Sequence, residues 1–202
     1  MKIKNKAAFH LSKDPILKKV IKKYPAPKWN PAGDLFQEIV ENIIGQQLSS
    51  GPANTITARF VKLFDKKNKK FPTPKEILDI ADQKIRDCGL SWAKVSYVKN
   101  LSDSVSKKTL DLEKIKEMPD EEVISELVKI KGIGRWTAEM ILIFYLQRPD
   151  IFSCGDLGLC TAVSKLYNVD RKDLKIIQKI SEKWSPYRSL ACRYLWISLD
   201  NQ

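Results

Sequence analysis

Leu127-Val128-Lys129-Ile130-Lys131-Gly132-Ile133-Gly134-Arg135-Trp136-Thr137-Ala138 decides how the chain is read. An apolar helical repeat through Val123, Ile124, Leu127 and Val128 is broken at Lys131-Gly132-Ile133-Gly134 and resumes from Arg135 to about Leu146. Two helices therefore meet at a tight turn. Ile133 is expected to point inward and pin the turn, leaving backbone N–H groups of the new helix facing outward. With the helix dipole, Lys131 and Arg135, those donors would seat a phosphate. A plain corner between two helices, in which glycine supplies only the backbone angles, has the same local sequence.

The same period continues on both sides of this turn. Asp34 can cap a helix whose buried face holds Leu35, Phe36, Ile39, Val40, Ile43 and Ile44. Ser50-Gly51-Pro52 interrupts the chain before a helix with Ile56, Phe60, Val61 and Phe64 on its inner side. Thr73-Pro74-Lys75-Glu76 is a capping box with proline at the first helical position. Gly89 reads as a stop, Ser91 as the cap of a helix through Leu101, Asp156 as the start of another, and Ser185-Pro186 as a cap and first-turn proline for the last. The expectation is an all-α fold of about nine or ten helices, since alternating or β-branched strand runs are missing. It forms one domain over 1–202, with one lobe at about 34–128, a second from about 1–33 plus 129–202, and the hairpin at about 120–146.

Thirty-six Lys and Arg against 24 Asp and Glu leave a net charge of +12, a balance that suits nucleic acid but also arises on ordinary lysine-rich surfaces. Lysines gather at 13–28, 62–75 and 107–116; the middle block, with Lys66, Lys67, Lys69 and Lys70, reads as solvated loop. One histidine, His10, leaves no basis for a Ser-His-Asp or Cys-His arrangement, so hydrolytic chemistry would fall to carboxylates. Cys88, Cys154, Cys160 and Cys192 are spaced by 66, 6 and 32 residues and form no CxxC pair, so mostly buried thiols are expected. No apolar run approaches the ~20 residues of a membrane span, and the first residues lack the apolar segment of a signal peptide. The expected setting is intracellular, with no membrane partner.

Four segments in order, IIGQQLSS at 43–50, GIGRWTAEM at 132–140, FSCGDLGL at 152–159 and WSPYRSLACRYLW at 184–196, resemble the helix-hairpin-helix DNA glycosylases, and look closest to the bacterial 3-methyladenine DNA glycosylase II branch. The resemblance implies a two-lobed helical glycosylase fold, here without the iron–sulfur cluster that some relatives carry, and needing no cofactor. It places Asp156 at the catalytic aspartate position, where an anion stabilises positive charge on the deoxyribose and orients or deprotonates water. Read locally, Asp156 is also an ordinary N-cap, and Asp150 is the nearest alternative carboxylate. Trp136 stands where strand-cutting relatives carry a Schiff-base lysine, which implies hydrolysis alone.

Trp136, Met140 and Trp196 are the base-pocket candidates, with Met140 replacing a tyrosine found in that branch; Trp136 also reads as a core tryptophan. Gln47 matches the residue that fills the gap left by a flipped base, and Leu48 competes for that role. Ser50 and Gly51 can offer backbone donors to a phosphate, beside Lys131, Gly132, Ile133, Gly134 and Arg135 at the hairpin. A monovalent cation on the hairpin carbonyls of Ile130 and Ile133 is implied by relatives. Trp184 and Tyr187 are expected at the seam between lobes. The resulting expectation is a monomeric, monofunctional DNA glycosylase removing alkylated purines such as 3-methyladenine and 7-methylguanine from double-stranded DNA. The alternatives are a glycosylase for uracil, mismatched thymine or oxidised guanine, and a non-catalytic DNA-binding module.

Overall fold

The structure, a computed structural model, describes residues 2–27, 34–64 and 71–200. Lys66, Lys67, Lys69 and Lys70 of the middle basic block lie outside the described residues. Among those described there are thirteen α-helices, one π-helical turn and no strand. The helices are α1 Lys2–Leu11, α2 Pro15–Lys23, α3 Leu35–Gly45, α4 Ser50–Phe64, α5 Pro74–Asp79, α6 Asp82–Asp87, α7 Trp92–Ser106, α8 Leu112–Glu117, α9 Asp120–Val128, α10 Arg135–Met140, α11 Leu157–Tyr167, α12 Leu174–Glu182 and α13 Arg188–Asp200. None is long and apolar enough to cross a membrane.

The chain forms two compact units. One is contiguous, residues 32–141, and the other joins 1–31 to 142–202. The hairpin segment 129–141 therefore belongs with the contiguous unit rather than with the chain ends, because α10 packs back on α9.

In the contiguous unit, α3 buries the six apolar residues its period marks out, and Asp34 caps it by accepting the Phe36 N–H at 2.7 Å. The α5 capping box forms in both directions between Thr73 and Glu76. Ser91 caps α7, which runs past Leu101 to Ser106. The lysine-rich stretch that follows runs into α8, started by Asp111 accepting from the Glu113 and Lys114 N–H groups.

The other unit holds two helices that its lysines conceal in the sequence. In α2, Leu17 and Val20 are buried while lysines occupy the outer face, and Pro15 opens the helix behind the Asp14 cap. The Asp14 carboxylate also accepts from Tyr167 Oη at 2.7 Å and Trp184 Nε1 at 3.2 Å, tying the two chain segments together. Trp184 is fully buried in this unit's core with Leu11, Leu17, Phe152 and Ile177. Tyr187 stacks edge-on against His10 at 5.4 Å. Pro186 precedes α13 by two residues instead of opening it, and the Ser185 hydroxyl donates to Asp150 at 2.8 Å. Cys88, Cys160 and Cys192 are buried free thiols, and Cys154 is half-buried.

Candidate functional site

The hairpin turn sits in the contiguous unit between α9 and α10. Ile133 donates its N–H to the Ile130 carbonyl at 3.0 Å, and both side chains are buried, so the turn is pinned from within as its sequence predicts. Gly132 has φ +100°, and a Cβ there would lie 2.1 Å from Cγ of Tyr97. Only glycine fits, on conformational and steric grounds together. Gly134 differs: its φ of −90° suits any residue and open space surrounds it. It is the N-cap of α10 and offers no side-chain cap. Backbone can thus be approached there from outside.

Lys131 is exposed beside this turn. Arg135, expected to share its role, is held by Glu121 at 2.8 Å and Glu139 at 2.9 Å. Hydrogen bonds from the guanidinium hold the Glu121 carboxyl below its ordinary range. Much of the Arg135 charge is therefore offset, because Glu139 lies one turn along the same helix and Glu121 comes from α9. The Ile130 carbonyl proposed for a cation already accepts the Ile133 N–H, so one of its lone pairs is committed within the turn. No group of three or more His, Cys, Asp or Glu able to hold a metal ion occurs among the described residues.

The turn after α3 carries the wedge candidates. Gln47 is exposed with a left-handed backbone, φ +59°, and Leu48 beside it is 39% exposed. Ser50 and Gly51 are exposed in the first turn of α4, and nothing lies within 4 Å of the position a Gly51 Cβ would take. Gln46, absent from the sequence-based candidates, donates from Nε2 to the Gly132 carbonyl at 2.9 Å. Trp136 stands exposed in the first turn of α10, so it is not a core tryptophan; Met140 at the end of that helix is buried.

The carboxylate candidate lies in the other unit. Asp156 is 8% exposed and caps α11, its Oδ1 accepting from the Leu159 N–H at 2.7 Å and from the Trp196 indole Nε1 at 3.0 Å. Asp156 is the N-cap its local sequence describes, and it is also an acceptor for a side chain forty positions later. Trp196 stacks on Phe144 at 5.4 Å and 28°, and the Arg193 guanidinium lies over Phe144 at 5.5 Å. Burial pushes the Arg193 pKa down. Gly158 makes room for this group: a Cβ there would meet Asp156 Oδ1 at 3.1 Å and the Trp196 ring at 3.3 Å. Asp150, the alternative carboxylate, is engaged by Arg188 at 2.7 Å and by Ser185. Partial burial opposes its ionisation, but hydrogen bonds from Arg188 and Ser185 outweigh that and hold its pKa below the ordinary value.

Residues 40–186 match the family described as HhH-GPD superfamily base excision DNA repair proteins. The chain belongs to that superfamily. It is similar to the putative DNA-3-methyladenine glycosylase YfjP of Bacillus subtilis, 36% identical over 170 residues; the match covers 82% of this chain and 59% of that protein, so the chain spans about three fifths of that relative's length. It is also similar to the structure of the Schizosaccharomyces pombe 3-methyladenine DNA glycosylase Mag1 in complex with abasic DNA, at 33% identity and a TM-score of 0.85, covering 96% of this chain and 97% of that one. It is similar at lower identity to DNA-3-methyladenine glycosylase 2 of Escherichia coli, 25% identical over 169 residues, 81% of this chain and 57% of that protein.

Sequence reasoning missed Gln46, Phe144 and Gly158. Gln46 sits in the quoted IIGQQLSS segment next to the residue that was chosen, and Gly158 sits in FSCGDLGL. Both were within reach. Phe144 lies in the apolar run before Gln147, where nothing separates a site aromatic from a core one.

Proposed function

We propose that this HhH-GPD protein is a monofunctional DNA glycosylase that hydrolyses the N-glycosidic bond of alkylated purines, 3-methyladenine and 7-methylguanine among them, in duplex DNA, acting as a monomer. It is grouped with the Mag1 and YfjP type rather than specifically with the glycosylase II branch, in keeping with the lower identity to the E. coli protein. The observation that carries the reading is the Asp156 carboxylate, shielded, oriented by an indole N–H and backed by an aromatic stack.

The chemistry follows from those groups. As the C1′–N bond breaks, its electron pair passes to the purine and neutralises the positive charge of an alkylated base, while cation character grows on the sugar. Asp156 stabilises that cation in a site where little water screens it. A water oxygen then bonds to C1′, its proton passing by way of the carboxylate to solvent. A cationic purine is already a good leaving group, so a broad aromatic pocket suffices, and the Trp196 ring, backed by Phe144, supplies aromatic surface for an electron-poor base. Trp136 and Met140 remain pocket candidates, though Met140 has little surface to offer. Trp136 has no amine with which to form an imine, so the strand stays intact and an abasic site results. Gln47 or Leu48 fills the vacated stack, and the hairpin with Lys131, Gly134, Ser50 and Gly51 holds the backbone. A monovalent cation at the Ile130 and Ile133 carbonyls would assist that grip and take no part in bond cleavage.

A panel of duplexes carrying 7-methylguanine, 3-methyladenine, uracil or 8-oxoguanine tests this reading. Release of the methylated purines is expected, with strand breaks only after alkali, and Asp156→Asn should slow release about 10²–10³-fold while damaged-duplex binding persists. Equal release by the variant would remove Asp156 from its role. Strand scission without alkali, or release of uracil or 8-oxoguanine alone, would overturn the reaction type or the substrate class.

A further inference from the structure

α3 ends at Gly45 with no basic residue in its last turn, leaving the negative end of its dipole without a cation of its own. One arrives from α7. The Lys94 ammonium donates to the Ile44 carbonyl at 2.8 Å and to the Gln46 carbonyl at 2.7 Å. Within the turn, Gln46 N–H donates to Asn42 and Leu48 N–H to Gly45. The carbonyls of Ile44, Gly45 and Gln46, just before left-handed Gln47, are thereby taken, and the Leu48 N–H just after it is engaged as a donor.

One helical turn after Lys94, the Tyr97 ring fills the space beside Gly132 that a side chain would otherwise need. The third side is closed by Gln46 Nε2 on the Gly132 carbonyl. The first two turns of α7 thus touch the wedge turn through Lys94 and the hairpin through Tyr97, while Gln46 joins wedge turn to hairpin directly. Burial pushes the Lys94 pKa down, as befits a cation drawn partly out of water. A long lysine spent on two carbonyls, when 36 basic residues are available for DNA, marks a building role.

We propose that Lys94 is a positioning residue that fixes the wedge turn relative to the hairpin, so that filling the base stack and gripping the strand occur in one registered movement. This rests on the glycosylase reading above and adds to it how extrusion is made efficient. Lys94 itself touches neither the base nor the reacting sugar. Its loss should impair extrusion more than grip or chemistry.

The test uses the whole chain and a duplex with 2-aminopurine beside an abasic analogue, whose fluorescence rises as the stack is opened. At saturating protein, Lys94→Met is expected to give less than about half of the wild-type rise while undamaged-duplex affinity stays within about twofold, since the phosphate contacts are untouched. It should slow 7-methylguanine release from duplex roughly tenfold or more, the scale of ångström misplacement, but release from a mismatched bubble much less. Lys94→Arg should restore most of the signal. Gln46→Leu, which leaves the lysine in place and removes the bond to Gly132, should lower the rise in the same direction and serves if Lys94→Met does not fold. A wild-type fluorescence rise in both Lys94→Met and Gln46→Leu would overturn the proposal, as would loss of affinity and of bubble release in equal proportion. Absence of base release from wild type with the fluorescence difference intact would sink the glycosylase reading and leave the positioning role standing.

Discussion

The Trp196 indole does two things with two parts of one ring: its edge donates to Asp156, and its face stacks on Phe144. Trp196→Phe separates them, keeping an aromatic surface and deleting the donor. A hydrogen bond to a charged group is worth about 1.5–3 kcal/mol, so single-turnover release should fall roughly ten- to a hundredfold with little change in damaged-duplex affinity. An unchanged rate would show that the indole N–H does not orient the carboxylate. Gly158→Ala probes the same group from below. The added methyl sits at 3.1 Å from Asp156 Oδ1 and must displace the pair, yet alanine favours the helix by about 0.5–1 kcal/mol over glycine. The variant should therefore melt no earlier than wild type and still excise more slowly, a combination that loss of fold cannot produce. At this scale the sequence is only half legible. Asp156, Gly158 and Trp196 all stand in distinctive segments, whereas the hydrogen bond that joins Asp156 to Trp196 arises from a distance that no spacing in the chain encodes. The ion pair of Arg135 is hidden for the same reason, since its carboxylate partner Glu121 comes from another helix.

Among the elements, the hairpin is specified more tightly than its symmetrical GIG sequence suggests. Gly132 carries the positive φ and the contact with Tyr97; Gly134 carries neither. Gly132→Ala combines backbone strain with overpacking, each about 1–3 kcal/mol. At roughly 2–4 °C per kcal/mol for a chain of this size, thermal melting of the contiguous unit should drop by about 5–15 °C. The same change at Gly134 should move melting by less than about 3 °C and act on DNA affinity instead. Equal effects at both glycines would contradict this division. Helices with a cap and an apolar stripe, such as α3 and α5, are readable from the chain alone. α2 is not, because a pair of buried residues among four lysines makes a weak stripe, and α8 is too short to show a period. The start of α13 at Arg188 lies beyond the expected cap because the Ser185 hydroxyl donates to Asp150 instead.

For the whole molecule, the two units should respond differently to acid. Asp14 and Asp150 both belong to the unit made of the chain ends. Burial opposes the ionisation of Asp14, but hydrogen bonds from Tyr167, Leu17, Trp184 and Ile16 outweigh it, and its pKa lies below the ordinary carboxylate value, as does that of Asp150. A lowered folded pKa gives stability that is present above the unfolded value near 3.8 and is lost as pH falls through the folded one. In the contiguous unit Glu38 is shifted the other way by burial, so its protonation relieves strain instead. The lowered Glu76 and Glu121 there are exposed and contribute little. Hydrogen exchange below about pH 4 should show the chain-end unit losing protection first, and Asp14→Asn should flatten that dependence. Earlier opening of residues 32–141 would refute the assignment.

The unit that carries Asp156 is discontinuous: Asp14 caps α2 early in the chain but takes Tyr167 and Trp184 as partners only after residues 32–141 have intervened. During synthesis, at roughly 5–20 residues per second, the contiguous unit can close while α1 and α2 still wait for their other half. The unit that bears the hairpin can thus take shape seconds ahead of the unit that holds Asp156.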